Sequence, residues 1–153
     1  MPPTGVPIPV HVDFHGISYN SATGQWTIPA NAPRWTVPPV VAVSSGNNLL
    51  TWTLTTSNVP SGFSPTFDAL DAIVFNAGWP GGLPDVTSAT TVECTDDFQS
   101  GPNNPEYYYS ITVDLTQTNG TVSQAFKLDP DIKNQGANPV ICYVMKGAIV
   151  EQP

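Results

Sequence analysis

Tyr107-Tyr108-Tyr109-Ser110-Ile111-Thr112-Val113-Asp114-Leu115 decides the fold class. Tyr107, Tyr109, Ile111, Val113 and Leu115 alternate with Tyr108, Ser110, Thr112 and Asp114. A period of two places one set of side chains on the buried face of a strand and the other outside. The residue types agree, because Val, Ile, Thr and Tyr favour a pleated, half-buried surface.

Working outward, the same period recurs. Val10, Val12 and Phe14 alternate with His11, Asp13 and His15, and Leu50, Trp52 and Leu54 alternate with Thr51, Thr53 and Thr55. Further strand-like runs are Gln25 to Ile28, Val40 to Val43, Ala69 to Phe75, Ala89 to Cys94, Val122 to Leu128, Val140 to Val144 and Ala148 to Val150. Asn20 to Gly24, Ser44 to Asn48 and Asn119-Gly120 supply turn residues between them, the last pair reading as a tight hairpin. No amphipathic helix is visible. The pattern predicts one all-β domain over residues 1–153, a two-sheet antiparallel sandwich of eight or nine short strands with Trp52 between the sheets. Most prolines fall in connections or at strand starts, where no ladder donor is needed. The long connections Thr56 to Asp68 and Phe98 to Pro105 are expected to carry binding loops.

Composition narrows function. Charged residues make up 10% of the 153 residues, against a usual ~25%. Four Lys and Arg against twelve Asp and Glu leave a net charge of −8. So few cations argue against nucleic acid and against an anionic membrane surface. No run of about 18 apolar residues reads as a spanning helix, which predicts no membrane insertion. Met1 to Val12 has no basic start and is broken by Pro2, Pro3, Pro7 and Pro9, so it does not read as a signal peptide. The abundance of Thr, Ser, Asn, Gly and Pro nevertheless leans towards an exported protein.

Tyr107 to Val113, a hairpin, and then Lys127-Leu128-Asp129-Pro130-Asp131-Ile132 resemble the C-terminal half of small bacterial sandwich domains of the immunoglobulin-like or cupredoxin-like kind. The resemblance covers about a third of the chain and implies architecture. Both cysteines follow Trp52 instead of flanking it, and Val140 stands two residues before Cys142 where antibody-type domains have Tyr. Met145 follows Cys142 with no His beyond it, which gives no support to blue copper.

Four features are candidates for chemistry. His11, Asp13 and His15 project from one strand face and are a candidate site for a divalent metal, although a straight strand would hold the two His α-carbons about 13 Å apart. The alternative reading is the wet face of an edge strand. Trp79, in Gly78-Trp79-Pro80-Gly81-Gly82-Leu83-Pro84, and Trp35 are candidate platforms for a sugar or a proline-rich segment, or else covers for the sandwich end. Asp129 and Asp131, with Asp96-Asp97 and Asp68 with Asp71, are candidate calcium ligands or solvated turn residues. Cys94 and Cys142 are either buried thiols or a disulfide contributing roughly 3–4 kcal/mol.

No nucleophile elbow, phosphate loop or convergent catalytic set is present, which points away from an enzyme. The leading expectation is a non-enzymatic binding or assembly module presenting loops or a sheet edge to a protein or glycan partner. The alternatives are a small metal-binding protein using the His11/Asp13/His15 face, and a structural subunit of a homo-oligomeric polymer joined through edge strands.

Overall fold

The computed structural model describes residues 3–43, 46–75, 79, 81–96, 106–129 and 147–151. Through them run β1 (Thr4–Asp13), β2 (Ser18–Asn20), β3 (Gln25–Thr27), β4 (Arg34–Thr36), β5 (Val41–Val43), β6 (Asn48–Ser57) and β7 (Phe63–Phe67). These are followed by β8 (Ile73–Phe75), β9 (Asp85–Ser88), β10 (Thr91–Asp96), β11 (Glu106–Gln117), β12 (Ser123–Leu128) and β13 (Gly147–Glu151). The fold is an all-β sandwich. Its strands are more numerous than eight or nine because short pieces pair separately along one long strand.

That strand is β11, the alternating tyrosine segment. Val113 faces Phe126 of β12 on one side and Phe67 of β7 on the other, while Tyr109 faces Gly147 of β13 and Phe75 of β8. Two short strands therefore line each edge of β11, and β5 extends the sheet beyond β13. The opposing sheet has the order β4-β1-β6-β10-β9, and β2 and β3 form a separate hairpin.

Not every pairing is antiparallel. β1 runs parallel to β6 from Thr4↔Asn48 to Asp13↔Ser57, and β13 runs parallel to β5. Between β1 and β6 the chain crosses to the other sheet through β5, the long connection that parallel neighbours require. Local alternation says nothing about such partners.

Pro7 and Pro9 lie inside β1, not before it. The amides of Thr4 and Phe14 donate towards β6, to Asn47 and Ser57. Backbone groups alternate sides along a strand, so the odd-numbered positions turn theirs the other way. There β4 pairs only with His11 to Asp13, so neither proline withholds a ladder donor.

The alternate residues meet between the sheets. Trp52 is fully buried, with its ring edge-on to Tyr109 at 5.4 Å and to Phe75 at 6.0 Å. Burial pushes the Tyr109 phenol up to about 12. Phe14, which directly follows β1, meets Phe126 of β12 across the layers at 5.6 Å. The β2–β3 hairpin forms as its turn residues predict, with Gly24 at φ 71°. The β11–β12 hairpin also forms, but Thr118 to Val122 connect it in place of a two-residue Asn-Gly turn, and Gln117 N–H donates to Val122 O at 2.8 Å.

Candidate functional site

The parallel register of β1 and β6 sets the surroundings of the histidines. It places Thr55 beside His11 and Ser57 beside Asp13. His11 Nδ1 lies 2.8 Å from Thr55 Oγ1, and Nε2 lies 3.2 Å from Ser57 Oγ. Asp13 Oδ1 accepts from the His15 amide at 3.0 Å and from Asn58 Nδ2 at 2.9 Å. Those two bonds, the Asn58 one first, hold the Asp13 carboxyl below its usual range. His11 and Asp13 thus engage β6 and the turn after it. Among the described residues no three His, Cys, Asp or Glu side chains converge on a point where a metal ion would sit.

The other expected positions separate. Trp35, expected as an exposed platform, is buried with 4% of its surface accessible, because alternation on β4 turns it inward between exposed Arg34 and Thr36. Asp129 accepts an ion pair from Lys127 Nζ at 3.5 Å. Asp131 and Cys142 lie outside the described residues, as do Asp97 and Phe98 to Pro105. Cys94 is a buried free thiol that donates to Gly82 O at 3.0 Å, and burial pushes it up to about 11. The connection Thr56 to Asp68 is not a free loop, since β7 within it pairs with β11.

A carboxyl pair sits where β7 leaves β11. Asp68 Oδ1 accepts from the amides of Leu70 at 3.0 Å and Asp71 at 2.8 Å, closing the turn before β8. Asp114 shares a hydrogen bond with Asp68. Burial, then that bond and the neighbouring charge, raise the Asp114 carboxyl to about 7. For Asp68, burial is the largest influence and acts upward, but the bonds from Asp114, Asp71 and Leu70 outweigh it and leave its carboxyl below the usual range.

The same turn builds one wall of a groove. Leu70 is 90% exposed and Val74 is 44% exposed. Facing them is Leu83, 91% exposed, on the segment that leads into β9. Between these walls lies an open groove of about 440 Å³, floored by Ile73, Phe75, Trp79 and Gly81. It continues into a hollow of about 150 Å³ that shares Leu70, Ile73 and Pro84 and reaches Asp85 and Val86.

Trp79 is fixed in the floor. Its ring stacks on Phe75 at 3.9 Å and 7°, and Tyr107 meets it edge-on at 5.3 Å. Its indole N–H donates to Gly82 O at 3.0 Å, while Gly82 N–H donates to Thr95 O at 2.8 Å. Gly81 passes so close that a Cβ there would stand 2.5 Å from Trp79 Cζ2 and 2.7 Å from Thr95 O. Of the residues around the groove, Trp79 is conspicuous in the sequence, whereas Leu70, Val74, Phe75 and Leu83 are not. The available signal was leucine in two turn segments, Asp68-Ala69-Leu70-Asp71 and Gly81-Gly82-Leu83-Pro84, where folding alone favours polar residues. No family model matches the chain, and no curated protein matches it at a significant level.

Proposed function

We propose that the chain is a non-enzymatic protein-binding module that takes an apolar segment of a partner into the groove between Leu70 and Leu83. One observation carries this reading. Of five large hydrophobic residues exposed among the described residues, three (Leu70, Val74 and Leu83) border this single groove. Scattered exposed leucines are ordinary, but a clustered set over an aromatic floor marks an interaction surface.

The lining favours protein over glycan. Every lining residue is apolar or Gly, and the Trp79 indole N–H is already bonded to Gly82. A sugar needs directed side-chain donors and acceptors beside its stacking platform, whereas the polar groups offered here belong to the backbone, which suits a peptide. The placement of the groove at the sheet rims accords with a binding role.

The test is selection of random displayed peptides against the full chain, with a glycan array in parallel. The comparison protein carries Leu70→Ser and Leu83→Ser. These side chains are almost wholly exposed, so their loss should leave stability within about 0.5 kcal/mol. Peptides that bind the parent and not the variant support the reading. No enriched peptide, peptides indifferent to the variant, or sugars that require the two leucines would overturn it.

A further inference from the structure

We infer that the segment taken by the groove is extended and carries a lysine or arginine, held by the carboxylates of Asp85 and Glu93. This rests on the groove being a protein-binding site, and two further observations specify the occupant.

The first is an open sheet edge. β8 pairs with β11 in the register Tyr109↔Phe75, Ser110↔Val74 and Ile111↔Ile73, and Thr112 N–H donates to Ala72 O at 2.9 Å. Bonded positions alternate along an antiparallel pair. Ala72 and Val74 therefore direct their peptide groups at β11, and Ile73 and Phe75 direct theirs to the other side. Among the described residues no strand pairs with that side. Ile73 and Phe75 also floor the groove, so a segment lying there meets ladder donors and acceptors together with apolar walls. An extended backbone satisfies both.

The second is charge. Asp85 borders the hollow that continues the groove, and Glu93 stands opposite it across β9 and β10. Like charges at directly opposed positions repel. Asp71, exposed, follows Leu70 on the facing lip. The basic residues among those described are Arg34, on the strand at the far edge of the same sheet, and Lys127, on β12, and neither lines the groove or the hollow. A cationic side chain from the occupant completes this lip. A second copy of the chain fits less well, since each copy carries a net charge of −8.

The experiment uses peptides selected as above. Lys or Arg should recur at a fixed spacing from the apolar residues. One such peptide and its Lys/Arg→Gln counterpart are then titrated against the parent and against Asp85→Asn/Glu93→Gln. The double substitution should weaken the basic peptide about five- to tenfold and the neutral one less than twofold, and added salt should erase the difference. Removing the like-charge pair should not impair folding, which circular dichroism checks. Peptides that need Leu70 and Leu83 but show no basic preference, or that bind both proteins equally, overturn this inference and leave the groove reading standing. Absence of any binder overturns both. Concentration-dependent self-association abolished by Leu70→Ser/Leu83→Ser would make the occupant another copy, and would overturn the inference too.

Discussion

Replacing Gly81 with Ala should destabilise the protein and unseat Trp79. Gly81 has no left-handed backbone angle, so alanine fits its conformation and the whole cost is steric. The new Cβ would stand 2.7 Å from Thr95 O, a backbone atom held by the Gly82 N–H, and 2.5 Å from Trp79 Cζ2. Two escapes exist. The ring can leave Phe75, forfeiting about 0.5–1.5 kcal/mol of stacking and a similar amount for the bond to Gly82 O. Alternatively the Gly81-Gly82 segment can lift from β10, losing the Gly82 bond to Thr95 and the one from Cys94. Either route costs roughly 2–3 kcal/mol, offset by about 0.4–1 kcal/mol from the stiffer unfolded chain. The net loss, about 2 kcal/mol, should lower the melting temperature by about 4–8 °C for a domain of this size. Gly5→Ala is the control, because nothing lies within 4 Å of a Cβ there. Urea denaturation followed by tryptophan emission reads the free-energy loss and the surroundings of the ring, and a thermal scan reads the melting temperature. A Gly81→Ala protein as stable as the Gly5→Ala control, with unchanged emission, would refute the close approach of Gly81 to Trp79 and β10.

Three other outcomes follow from the packing and the titrating groups. Asp114, raised to about 7 from an ordinary 3.8, holds a proton in the folded state that the unfolded chain has released. Its contribution is complete below pH 4 and is lost as pH rises through 7, so stability should decline across that window. Asp114→Asn keeps a donor for Asp68 and should flatten the decline, whereas an unchanged slope in a pH series of denaturation curves would contradict the pairing. Asp68, with its lowered carboxyl, acts with the opposite sign, and its contribution disappears only on stronger acidification. Cys94, with its thiol pushed up to about 11, should resist alkylation at pH 8 until denaturant is added, as peptide mass mapping would show. Trp52→Ala should cost about 3–5 kcal/mol in urea denaturation, and a loss under about 1 kcal/mol would contradict its place between the sheets.

The period-two segments were legible because burial on one face writes itself into alternate residues. Val10, Val12, Leu50, Trp52, Leu54, Tyr109 and Ile111 are all inside, as their spacing predicts. Partnership was not legible. Nothing around Thr4 to Asp13 announces a parallel neighbour, and β7 was hidden because Phe63 to Phe67 contains Pro65 and does not alternate cleanly. The same gap explains the histidines, whose polar partners Thr55 and Ser57 are set by the register of β6, a long-range quantity. Trp79 was visible as an aromatic in a glycine-proline loop. The groove around it depends on Leu70 and Leu83, distant in sequence and joined only where the two sheet rims approach.

Pro7 and Pro9 have a consequence for solubility. Along the side of β1 not covered by β4, a foreign strand seeking a ladder would meet two missing amides within three residues. Fibril growth templated on this margin is therefore blocked by covalent structure, independent of pH or salt. Substituting ordinary residues for both prolines, which are exposed, would leave the native core untouched while restoring two outward amides, turning this margin into a template for ordered aggregation.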